Sequence, residues 1–192
     1  MIYFMLRSLW FSLLFCCLFI AGPSYGQYNY SPAFAKKLLE MNAEIMPPLD
    51  GGYRKIRTSG SWIQDCDWAI RSKREKLEIR YLVTPLETGG PGMQHPDLAA
   101  HRLAMHLCSN DDDAMISGRD LTEHEVKNIY NADWGRIYIF PPKLGFAPHA
   151  YCKMVALQRE EEGLVYIFNL FDTPSPAIDS RMYTFSFEKE SW

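Results

Sequence analysis

The longest apolar pattern downstream of the N-terminus runs from His149 to Asp172, HAYCKMVALQREEEGLVYIFNLFD. Successive side chains of a strand face opposite ways. Leu164, Tyr166, Phe168 and Leu170 therefore share one side, and Val165, Ile167, Asn169 and Phe171 the other. The preceding segment repeats this, with Tyr151, Val155 and Leu157 opposed to Cys152, Met154 and Ala156. Strands apolar on both sides belong in the middle of a sheet that is covered on both faces. Arg159 to Gly163 supplies a charged turn and a glycine able to adopt positive φ.

The rest of the pattern arranges itself around that hairpin. Ser31-Pro32 reads as a helix N-cap with proline in the first turn. Phe34, Leu38, Met41 and Ile45 recur at helical spacing, so an amphipathic helix is predicted up to Pro47-Pro48. Asp50-Gly51-Gly52 is a turn, and Tyr53 to Ser61 reads as a short edge strand. A second hairpin is predicted next. Trp62, Cys66, Trp68 and Ile70 share a face, then Leu77, Ile79, Tyr81 and Val83 face inward, with Glu78 and Arg80 outward. Pro96-Asp97 opens a helix whose buried stripe is Ala100, Leu103, Ala104, Leu107 and Cys108, ended by the polar run Asn110 to Asp113. Thr122 and Glu125 form a capping box with Leu121 and Val126 as its staple, predicting a third helix to about Asn131. Gly135 reads as a reversal. Arg136 to Phe140 reads as a strand apolar on both faces, stopped by Pro141-Pro142. The loop Asp172 to Asp179 leads to a last edge strand carrying Tyr183, Phe185 and Phe187.

These elements predict a single α+β domain over residues 27–192, built on a single antiparallel sheet of about six strands with helices packed on both faces. Their order resembles the Mog1/PsbP-like sandwich. The resemblance lies in order and patterning, with no shared motif, and a fold of this kind does not fix function.

The first 26 residues read differently. Leu9 to Ile20 is an apolar run behind Arg7, shorter than the ~20 residues that cross a bilayer. Ser24 and Gly26 then suit the small-residue positions of a signal-peptidase site, which makes Gln27 the expected mature N-terminus and export to the periplasm or the exterior the expected fate. A retained anchor is the alternative. Cys16 and Cys17 lack the small neighbours of a lipid-attachment site. Asn29-Tyr30-Ser31 matches a glycosylation sequon, relevant in a eukaryotic host. The leader carries one Arg and no acid, so its removal moves the formal charge from −3 to −4. A mildly acidic chain gives no electrostatic case for nucleic acid.

Candidate chemistry is sparse. His95, His101, His106, Cys108, His149 and Cys152 include metal-ligand types, but the spacing forms neither C-x-x-C nor H-E-x-x-H. Asp111-Asp112-Asp113 lacks the alternating ligands and mid-loop glycine of a calcium loop. Cys66 lies between Asp65 and Asp67, which disfavours a thiolate nucleophile. Gly89, Gly90 and Gly92 precede a helix without the Lys-Ser/Thr of a phosphate loop. No cofactor or metal is expected. Export makes one disulfide plausible, and Cys66 and Cys108 are the pair expected because both lie on core-facing positions.

The function expected is non-catalytic binding of a protein or small ligand by loops 84–95, 141–149 and 172–180, since loops carry binding more often than sheets do. Met93, His95, Lys143, His149 and Asp172 are the candidate contact residues. The rivals are a small metal-dependent or cysteine hydrolase using His95, His149 and a carboxylate, and an inhibitor or immunity-type partner of another protein.

Overall fold

A computed structural model describes residues 30–57, 63–88 and 91–189. The expected leader, its cleavage point, Asn29, Trp62, Gly89 and Gly90 lie outside the described residues. In chain order the elements are helix α1 (Pro32–Glu40), strands β1 (Ala43–Ile45), β2 (Arg54–Lys55), β3 (Trp68–Ser72) and β4 (Leu77–Pro85), helix α2 (Pro96–Leu107), strands β5 (Ser117–Asp120), β6 (Trp134–Phe140), β7 (Tyr151–Arg159) and β8 (Gly163–Phe171), helix α3 (Pro176–Arg181) and strand β9 (Phe185–Phe187). The architecture is α+β and antiparallel, but it is not one sheet. Seven strands form the main sheet in the order β2-β3-β4-β8-β7-β6-β5, and β1 pairs with β9 in a separate two-stranded sheet.

β8 holds the central place that its double-sided pattern predicts, and all nine of its residues are buried. It divides the molecule into two apolar layers. On one side Val165, Ile167, Tyr81, Trp68 and Ile79 pack against Phe34 and Leu38 of α1, Phe185 and Phe187 of β9, and Ile178 of α3. On the other side Leu164, Phe168, Met154 and Cys152 pack against Ala100, Ala104 and Leu107 of α2 and against Phe146. Each large side chain taken out of water contributes about 1.5–3 kcal/mol. A double-sided central strand therefore anchors both layers at once.

Several local signals hold. The Ser31 hydroxyl accepts the Phe34 N–H at 3.2 Å. The capping box is formed, with the Thr122 N–H donating to Glu125 Oε2 at 2.8 Å and the Glu125 N–H to Thr122 Oγ1 at 3.2 Å. The turn that it opens winds as a π-helix over Glu125–Ile129. Other readings are corrected. α1 stops at Glu40, where Met41 caps it and Asn42 takes positive φ, so Ile45 belongs to β1. Gly135 sits inside β6, and the positive-φ residue before it is Asn131. A Cβ at Gly135 would meet Leu121 at 2.5 Å and Leu157 at 3.1 Å, so this glycine serves a close approach. Ile139 is exposed, so β6 is not apolar-buried along its whole length. The final strand pairs with β1 instead of edging the main sheet. Cys66 precedes β3 and joins the layer opposite to that of Trp68 and Ile70.

Candidate functional site

The register separates the three loops expected to form one surface. Pro85 pairs with Gly163, which pairs with Arg159, so segment 84–95 leaves the sheet at the end marked by the 160–162 turn. Leu77 pairs with Phe171, which pairs with Tyr151, so loops 141–149 and 172–180 lie at the other end. Nine residues of strand, ~30 Å, stand between them. Met93 and His95 are thus far from His149 and Asp172. Met93 is buried, and its carbonyl accepts from Gln158 Nε2 at 2.6 Å. His95 is the exposed N-cap of α2, and its side chain makes no capping bond. Lys143 donates to the His106 carbonyl at 2.7 Å, and its backbone N–H donates to Leu107, so it closes the C-terminal turn of α2.

His149 and Asp172 do come together, around a group that the sequence pattern assigned to solvent. Glu78 on β4 is almost fully buried. Its carboxylate accepts from Arg80 Nε at 2.6 Å and from Arg71 Nε at 2.8 Å. The imidazole of His149 stands between two acids, with Nε2 3.6 Å from Glu78 Oε2 and Nδ1 3.4 Å from Asp172 Oδ1. Asp172 Oδ1 also accepts the Ala150 N–H at 2.9 Å. Arg80 donates to the Phe146 carbonyl at 2.7 Å and lies over the Phe146 ring. Burial alone would push the Glu78 carboxyl up. The adjacent His149 and the charges of Arg80 and Arg71 outweigh it and hold the group at about 2. The arrangement fastens the segment 146–150 and the start of the 172–180 loop onto β4.

Cys66, Cys108 and Cys152 are buried thiols, and the expected Cys66–Cys108 disulfide is not formed in this structure. Cys66 influences the Cys152 thiol electrostatically, whereas Cys108 caps α2 beside Lys143 and Asp111. Burial pushes the Cys66 thiol up to about 12 despite the nearby Arg80. Among the described residues no three of His, Cys, Asp and Glu are grouped as metal ligands.

A different place offers room. On the α1 face of the sheet two rows run across the strands, Ser117–Ile139–Lys153–Asn169 and Arg119–Ile137–Val155–Ile167. Where they reach the β5 edge they enclose a cleft of about 260 Å³ lined by Ser117, Gly118, Arg119, Ile137, Ile139 and Lys153. Ile137 and Ile139 form its apolar floor. Lys153 is only 10% exposed, and its ammonium donates to Asp179 Oδ1 of α3 at 2.6 Å. Beside it Asn169 is fully buried, and its side-chain oxygen finds no hydrogen-bond donor among the described residues. Arg119 is held bidentate by Glu125 at 3.0 and 3.1 Å. A larger hollow of about 460 Å³ over β1 and β9 has Glu44, Glu188 and Lys189 in its lining, all surface groups, and among the described residues no buried charge. Of the strands that border this cleft, β5 is the one that sequence reasoning missed, because Ser-Gly-Arg-Asp has no apolar alternation to announce a strand.

Comparison with protein-family models, with curated proteins and with solved structures returned no match.

Proposed function

We propose that this chain is an exported domain that acts by binding and not by catalysis, and that its ligand occupies the cleft over β5, β6 and β7. The observation that carries this reading is Lys153, a charged side chain nine-tenths buried in the wall of a cleft whose floor leaves Ile139 open to solvent. Removing an ammonium from water costs several kcal/mol before pairing offsets it. A pocket with an apolar floor and few fixed polar groups is the common form of a small-ligand site. Export rests on the leader pattern of residues 1–26. The likeness to the Mog1/PsbP-like sandwich rests on element order and contributes nothing to the reading.

One observation favours a second reading, the inhibitor or immunity type. Leu144 is 83% exposed, yet its loop is fixed on both sides, by Lys143 on α2 and by Phe146 against Phe168. A rigid loop presenting one large apolar side chain suits a protein partner. The hydrolase reading is the weaker for having its His95 and His149 at opposite ends of the sheet.

A thermal-shift screen of small anions, cations and neutral compounds separates these readings. At a hundred times Kd, a ligand of the cleft raises Tm by about 5–10 °C. Ile139→Trp, which fills the cleft, is expected to abolish that rise. Shifts that survive Ile139→Trp and vanish in Leu144→Ser would move the binding surface to the 141–149 loop.

A further inference from the structure

We infer that the cleft takes a small organic monoanion, a carboxylate on a short apolar body, whose carboxylate replaces Asp179 on the Lys153 ammonium. This assignment rests on the cleft being the binding site. Among the described residues no acid lines the cleft, and the two charged residues in its lining, Arg119 and Lys153, are both cations. Their counter-ions differ in kind. Glu125 is fixed by both nitrogens of the Arg119 fork, by the Thr122 N–H and by the Thr122 hydroxyl at 2.9 Å, and it is nearly buried. It stays with Arg119. Asp179 is 80% exposed on a six-residue helix, and Lys153 is its ion-pair partner at 2.6 Å.

The asymmetry of that second pair makes exchange inexpensive. An exposed carboxylate released from a pair is resolvated by water and loses little. A buried ammonium left without an anion loses much. Lys153 therefore requires an acceptor but not Asp179 in particular. An entering carboxylate supplies the acceptor, and its apolar body covers Ile137 and Ile139. Ser117, in the same cross-strand row as Ile139 and Lys153, adds a hydroxyl-bearing residue to the lining. A cation would meet Arg119 and Lys153 unfavourably, and a neutral molecule would leave Asp179 in place. The volume, below the ~300–1,000 Å³ of pockets for drug-sized molecules, limits the ligand to a few carbons or one ring.

Isothermal titration tests this with hexanoate and benzoate as probes, their primary amides as neutral isosteres and hexylammonium as the cation. The purified protein is compared with Lys153→Met, Asp179→Asn and Ile139→Trp. Carboxylates are expected to bind at least about tenfold more tightly than the amides. Asp179→Asn keeps an oxygen acceptor for the ammonium, so folding is preserved, and it removes the competing charge. It should tighten carboxylate binding about five- to tenfold. Lys153→Met should erase the preference for the carboxylate. A purely structural Lys153–Asp179 pair predicts no gain in Asp179→Asn, and a loss or no change there overturns the inference. Equal binding of acid and amide, abolished by Ile139→Trp, refutes the ligand class and leaves the cleft as the site. Failure of every probe, or binding indifferent to Ile139→Trp, refutes both.

Discussion

Glu78 has given up nearly all contact with water, and two arginines and a histidine stand in for it. Gln at this position keeps the shape and removes the charge. Arg80, itself 11% exposed, then loses the anion that offsets its burial. Glu78→Gln is expected to lower the free energy of unfolding by about 3–5 kcal/mol, read from urea unfolding. A loss under about 1 kcal/mol would show that the network does not hold the loop. The alternation in β4 predicted an outward Glu78 and Arg80. The pattern was right about the face and wrong about the solvent, because the cover, Phe146 to Ala150, comes from far along the chain. A complementary pair at i and i+2 in an apolar strand was the available sign. His149 and Asp172 were legible as polar residues flanking a buried hairpin. Lys153 was not, because one cation in a double-sided apolar strand carries no mark of what faces it.

At the scale of elements, Gly135 shows what a glycine inside a strand reports. Its neighbours Leu121 and Leu157 belong to the staple of the capping box and to β7. Ala at 135 must displace them, and overpacking of this kind costs about 1–3 kcal/mol. Gly135→Ala should lower Tm by several degrees, and pairing it with Leu121→Ala should recover part of the loss. A neutral Gly135→Ala would mean that Leu121 yields freely. Elements with a side-chain signature were readable in advance, among them the Ser31 cap, the Thr122–Glu125 box, the stripe of α2 and the double-sided β8. β5 and α3 were not, because each is short and polar, and tertiary contacts define them. β9 was seen as a strand but assigned to the wrong sheet, since periodicity specifies faces and not partners.

The whole molecule carries its acid sensitivity in a few carboxylates. Glu125 is held at about 2, first by its hydrogen bonds with Arg119, against burial, and Glu78 is held at the same value. Both lie below their ordinary 4.5, so the folded state binds fewer protons than the unfolded chain as pH falls. Their contribution is complete above about pH 4.5 and is lost as pH falls through about 2. The urea midpoint is therefore expected to be nearly level from pH 7 to about 5.5 and to drop steeply between about 4.5 and 2. The double variant Glu78→Gln, Glu125→Gln should flatten that drop. An unchanged midpoint down to about pH 2.5 would contradict the assignment. The α+β class and a central hairpin covered on both sides were legible at this scale. The second sheet and the cleft were not, because each is assembled from segments distant in sequence.

The pairing of β4 with β8 has a consequence in time. A ribosome finishes Leu77–Pro85 long before it reaches Gly163–Phe171, yet Leu77 pairs with Phe171 and Pro85 with Gly163. Until then the β3–β4 hairpin carries an unclaimed edge, the kind of surface to which neighbouring chains add strands. Glu78 and Arg80 sit on the strand that bears that edge, where charges act as gatekeepers against premature partners. The ion pair that later locks a loop to the sheet first guards an interval in the life of the nascent chain.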